Sequence, residues 1–169
     1  MENFFTHYTD SSAVFPSFPI VQHNCLSSWD LFLSLFHSFT MLPNPPLLVA
    51  IQDPRSRRSV SPTFPGYISF APPSPGRLRV AIYVSRILNQ HLSCSTVFHD
   101  SSEMISVDVF SLEGLFGSPH CSLRVTSVYL LRTNRPPYRS IPPERVFSFH
   151  SYPHQILGDF NLHHPLADP

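Results

Sequence analysis

Between positions 29 and 39 the apolar residues Trp29, Phe32, Leu33, Phe36 and Phe39 recur every three or four residues, which predicts an amphipathic helix. Ser27 or Ser28 suits its N-cap, and Asp30 falls in the first turn, where a carboxylate meets the positive end of the helix dipole. Pro45 and Pro46 stop it. Ahead of the helix, residues 18–25 read as a short strand with Asn24 at its end. Behind it, residues 47–52 form a continuous apolar run, the pattern of a central strand buried on both faces. Asp53 and Pro54 end that run. Strand, helix and strand of this length make a βαβ unit. Its right-handed crossover sets Asn24 and Asp53 on the same edge of the sheet.

The pattern then turns to strands. Residues 64–70 suit a short one, and Pro72, Pro73, Ser74, Pro75 and Gly76 form a turn. Residues 77–85 alternate well enough for a strand. Residues 95–98 and 104–110 continue the pattern around a turn at Asp100, Ser101 and Ser102, and 113–117 turn again. Residues 121–131 make a long strand containing Val125, Val128 and Tyr129. From 64 to 131 this is a meander. A proline- and arginine-rich loop at 132–143 leads to a short helix at 144–149, since Pro142 and Pro143 suit a first turn. The last strand runs through Ile156 and Leu157 to Gly158. Period-2 alternation beyond it puts Asp159 and Asn161 on one side while Phe160 points into the core. Residues 1–17 show no periodicity and read as a loose leader before one domain at 18–169.

Composition narrows the class. The chain has 169 residues, enough for one domain with a real core. With 42% hydrophobic residues it is not a disordered chain, although 19 prolines imply long loops. Eleven basic residues, all arginine, balance eleven acidic ones, so nucleic-acid contact would rest on local arginine clusters. Cys25, Cys94 and Cys121 lack CxxC spacing and read as free thiols in a reducing compartment, which places the protein inside the cell, in nucleus or cytoplasm. Ten histidines are scattered rather than grouped as metal ligands. Residues 1–17 have no basic n-region, and the apolar window 31–51 is broken by His37, Pro43, Asn44, Pro45 and Pro46. No membrane association is expected.

The chemistry gathers at strand ends. Asp159 and Asn161 would offer one pocket an acceptor-only carboxylate and an amide that donates and accepts. Ordinary Asx turns show the same spacing. The motif Gly158-Asp159-Phe160-Asn161, trailed by His163-His164-Pro165-Leu166, resembles the signature of the endonuclease/exonuclease/phosphatase superfamily. More narrowly, it is similar to the endonuclease domain of fungal non-LTR retrotransposons. Gln22-His23-Asn24-Cys25, Ile51-Gln52-Asp53-Pro54 and Ser127-Val128-Tyr129 look like that family's earlier motifs, in the same order.

The resemblance implies a four-layer α/β/β/α sandwich, here incomplete at its C-terminus. It also implies hydrolysis of a DNA phosphodiester with Mg2+ or Mn2+. Asn24 and Asp53 would hold the metal, Asp159 would orient or deprotonate water, and Asn161 and Tyr129 would hold phosphate oxygens. Arg55, Arg57 and Arg58 would meet DNA phosphates. There are departures. Asp53 stands where the family has glutamate, and magnesium wants near-ideal geometry at about 2.0–2.1 Å, so the shorter arm predicts weak binding. Ser127 replaces the asparagine that buttresses Tyr129. A later aspartate and a Ser-Asp-His motif do not follow, and His163 and His164 do not match that histidine. The expectation is a truncated endonuclease domain, feeble or inactive alone and prone to self-association through an incomplete sheet. The alternatives are a non-catalytic DNA- or protein-binding remnant and a degenerate open reading frame.

Overall fold

The computed structural model describes residues 19–54, 60–73, 77–87, 92–99, 103–111, 122–130 and 153–160. In chain order these form β1 (Ile20–Asn24), α1 (Trp29–Thr40), β2 (Leu48–Gln52), β3 (Tyr67–Phe70) and β4 (Val80–Ser85), then β5 (Leu92–Phe98), β6 (Met104–Ser111), β7 (Ser122–Tyr129) and β8 (His154–Asp159). Two four-stranded mixed sheets result. The first has the order β1-β2-β4-β3 and the second β5-β6-β7-β8. The fold is α/β.

The helix forms where its periodicity placed it. Ser28 is the N-cap, its side chain accepting from the Leu31 N–H at 3.3 Å, and Asp30 lies in the first turn. Phe32, Phe36 and Phe39 are buried against the outer face of the first sheet, with Val49, Ile51, Ala81 and Tyr83. Phe36 meets Tyr83 edge-on at 4.9 Å and Tyr67 at 5.4 Å between ring centroids, a geometry that favours the ring quadrupoles. The Tyr83 hydroxyl, deep in this cluster, is satisfied by Ser61 and by the Pro62 carbonyl, each at 2.7 Å.

The opposite face of the first sheet packs on the second. Leu48, Val80, Ile82 and Val84 interlock with Ile105, Val107, Val109 and Val125, all fully buried. Removing one such side chain from water is worth about 1.5–3 kcal/mol, so this layer contributes heavily to the stability of the sandwich. The second sheet's outer face carries a smaller apolar group, Met104, Val128 and Leu130 with Ile156 and Phe160. Its polar positions are paired: Arg124 grips Asp108 through two bonds of 2.6 and 2.7 Å. Three layers, α/β/β, are therefore in view. The fourth layer's candidate helix at 144–149 lies outside the described residues, as do the leader 1–17 and the turns at 74–76, 100–102 and 113–117.

One expectation is corrected. The meander begins at β5, not near residue 64, because β3 and β4 join the first sheet. Every residue of β4 is buried: Val80, Ile82 and Val84 face the second sheet while Ala81 and Tyr83 face the helix. A strand apolar on both faces gains most in a central position, and β4 lies antiparallel beside β2. Arg77 and Arg79 therefore precede the strand instead of belonging to it. Among the described residues, no helix is long and apolar enough to cross a membrane.

His23 shares the helix-facing side of β1 with Val21, and its Nε2 is buried without a hydrogen-bond partner among the described residues. Burial lowers its pKa below the ordinary 6.5. The unfolded chain thus binds a proton at His23 before the folded chain does. Its contribution to stability is fully present above pH ~6.5 and is lost as pH falls through the depressed folded value. Urea unfolding compared above and below that pH is expected to show a steeper acid loss for the wild type than for His23→Gln. Equal loss in the two proteins would remove His23 from the account.

Candidate functional site

Two parallel pairings decide where the polar strand ends meet. β1 lies parallel to β2, pairing Asn24 with Gln52, and β7 lies parallel to β8, pairing Tyr129 with Asp159. The face-to-face sheets bring both sets of carboxyl ends to one rim. There the Asn24 side-chain Nδ2 donates to Asp159 Oδ2 at 2.7 Å, joining one sheet to the other. Asn24 is held in that orientation because its Oδ1 already accepts from the Leu26 N–H at 2.9 Å. The main chain of β8 is fixed too, the Asp159 carbonyl accepting from the Leu130 N–H at 2.8 Å.

Asp53 follows β2 in a left-handed conformation, with φ +46°, as do Leu26 and Ser27 after β1 at +48° and +59°. Non-glycine residues there cost free energy and persist where surrounding bonds over-determine them. They do here. The Asp53 N–H donates to the Arg79 carbonyl at 2.6 Å and its carbonyl accepts from the Ser27 N–H at 2.9 Å. Its carboxylate accepts from the Ser27 hydroxyl at 2.6 Å, from Arg77 Nη2 at 2.9 and 3.0 Å, and from Arg79 Nη1 at 3.2 Å.

Tyr129 lies beside this ion pair, with the Arg79 guanidinium carbon 5.6 Å from its ring centroid. Burial raises the phenol's pKa, and the Asp53 and Asp159 carboxylates raise it further against the opposing pull of Arg79 and Arg77. The hydroxyl therefore stays a donor near neutral pH. Nearby Glu103 is raised by burial, with Arg79 opposing, and the Cys25 thiol is pushed up to about 12 by burial and then Asp53.

Under the rim a polar chain runs inward from the exposed Gln22 of β1 and crosses to the second sheet through buried Gln52. Gln22 Nε2 donates to Gln52 Oε1 at 2.7 Å, and Gln52 Nε2 donates to the Ser127 hydroxyl at 2.9 Å. Gln52 and Ser127 are fully buried. Ser127, read in the sequence as a lost buttress, here ties β7 to β2 two residues before Tyr129. A buried amide with both ends satisfied holds register, and one left unpaired is costly.

Of the residues singled out in the sequence, Asn24, Asp53, Tyr129 and Asp159 come together at this rim. Asn161, Arg55, Arg57 and Arg58 lie outside the described residues. Arg77, Arg79, Ser27 and Gln52 were not recognised as site residues. Nothing local marks the arginines, since their partner Asp53 is 24 and 26 residues away. The magnesium or manganese implied by the resemblance fits this donor set poorly. A carboxylate offers about four acceptor positions. On Asp53 all are taken, three by guanidinium contacts and one by a hydroxyl. Among the described residues no group of three or more His, Cys, Asp or Glu could hold a metal. Asp53 is closed.

No family model and no curated protein matches the chain. Among solved structures the chain is similar to the endonuclease domain of TRAS1, a telomere-specific non-LTR retrotransposon. The identity is 15% and the TM-score 0.46, over 69% of this chain and 46% of that one. The chain thus matches less than half the length of that domain.

Gly158 is the residue that lets β8 approach this rim. A Cβ built on it would collide with the Val128 carbonyl oxygen and come within 2.9 Å of the carbonyl carbon, both unyielding backbone atoms. Gly158→Ala is expected to destabilise the fold by about 1–3 kcal/mol or more through overpacking. Chemical denaturation checks this, and an unchanged midpoint would mean that β8 is less tightly seated than described.

Proposed function

We propose that the rim formed by Asn24, Asp53, Tyr129 and Asp159 is a phosphodiester site of the endonuclease type, acting on the backbone of DNA. The observation that carries this reading is the 2.7 Å bond from Asn24 to Asp159, made between the carboxyl ends of two facing sheets. An amide donor oriented by its own turn fixes the Asp159 carboxylate at the rim, where in this reading it takes a proton from water. The Tyr129 phenol, kept protonated by its surroundings, supplies a neutral donor to a phosphate oxygen. Arg77, about half exposed at the mouth, adds a guanidinium, the side chain best matched to phosphate. The order of the four sequence motifs supports DNA as the polymer. Turnover is slow in this reading, because Asp53 is engaged by arginines and no step is routed through it.

The test is nicking of supercoiled plasmid, run in magnesium and in chelator, together with anisotropy of a labelled duplex. Asp159→Asn is expected to lower the nicking rate by about 10²–10⁴-fold, the usual worth of a positioned acid or base, while duplex binding persists. Nicking by Asp159→Asn at the wild-type rate would reject the role of Asp159. A wild type that neither binds nor nicks the duplex would reject the site.

A further inference from the structure

We infer that Arg77 and Arg79 occupy the place of a divalent cation on Asp53, so that the site grips a phosphodiester directly on guanidinium and needs no metal ion to bind it. The inference deepens the phosphodiester reading above and rests on it for the identity of the ligand.

Three observations support it. First, Asp53 has no acceptor position left: Arg77 Nη2 spans Oδ1 and Oδ2, Arg79 Nη1 takes Oδ1 again, and the Ser27 hydroxyl takes Oδ2. A metal ion would have to displace a guanidinium and then sit beside it, with like charges sharing one carboxylate. Second, the arginines are held where a ligand can reach them. The Arg77 side chain is 44% exposed and meets Asp53 through Nη2 alone, so the contact with Asp53 does not use its Nε–H or Nη1. Arg79, 23% exposed, is steadied over the Tyr129 ring, so its charge stands next to the Tyr129 phenol. Third, the charges match those of the ion they replace. Two guanidiniums stand among two carboxylates at the rim, Asp53 and Asp159, supplying the two positive charges that a divalent cation would bring. Guanidinium cannot be deprotonated in a protein, so this charge is as permanent as a metal's.

The experiment uses the whole chain and two separate probes. A fluorescein-labelled DNA duplex is titrated in chelator and in millimolar magnesium, across a series of salt concentrations. The affinity is expected to be the same with and without magnesium. Arg77→Gln is expected to bind about tenfold more weakly, with the slope of log affinity against log salt reduced by about one. Arg77→Lys keeps the charge and is expected to keep the slope while losing affinity, since it lacks the fork. A purely structural role for Arg77 would not move the slope, and thermal unfolding of each variant reports whether it folds.

The second probe is Mn2+ alone, followed by calorimetry without DNA. The wild type is expected to show no saturable heat, and Arg77→Gln/Arg79→Gln, with the Asp53 acceptor positions reopened, is expected to show it. Saturable Mn2+ binding by the wild type that Asp53→Asn abolishes would overturn the inference. So would duplex binding that vanishes in chelator. If the duplex binds under no condition, the phosphodiester reading fails and takes the ligand with it, while the Mn2+ arm still decides whether arginine stands in for the metal.

Discussion

Parallel pairing at two places, β1 with β2 and β7 with β8, is the constraint on which the rest of this molecule depends. Antiparallel neighbours put their carboxyl ends at opposite edges, and most pairs here are of that kind. The two parallel pairs are the exception. Each sends two carboxyl ends to the same edge, and stacking of the sheets through their valine- and isoleucine-rich inner faces brings the edges together. Polar residues at those four ends become neighbours because of strand direction, not because of closeness in sequence.

Strand direction sets the rim coarsely, and buried polar bonds set it finely. Apolar packing between sheets tolerates sliding, since one branched aliphatic fits nearly as well as another in a facing layer. An amide does not. Gln52, fully buried between Gln22 and Ser127, is satisfied at one offset of the sheets. One residue further along, the left-handed backbone of Asp53 exchanges bonds with Arg79 on one side and Ser27 on the other. The carboxylate is thereby aimed at the rim before any ligand arrives, which is the meaning of preorganisation at such a site.

What the sequence disclosed followed from how local each signal is. The α1 periodicity, the Ser28 cap and the two-sided apolar run of β2 are local patterns, and each appears where it was read. Asn24, Asp53 and Asp159 were legible as polar residues closing apolar runs, whereas Tyr129, inside the run 121–131, was singled out only by the resemblance. The assignment of β3 and β4 to the first sheet was not legible. Periodicity says which faces of a strand are buried but not which strand lies beside it. Arg77 and Arg79 were hidden for a related reason. Alternating with Leu78 before an apolar strand, they look like its solvent-facing positions, and the buried acid that claims them follows another strand altogether.

The bond between Asn24 and Asp159 spans 135 residues. A contact of that separation is held by no local segment. Both sheets must be assembled and stacked for these two side chains to meet. The rim accordingly depends on the whole sandwich and on no single hairpin. A partly folded chain would hold its helix and its hairpins, yet have no site to present.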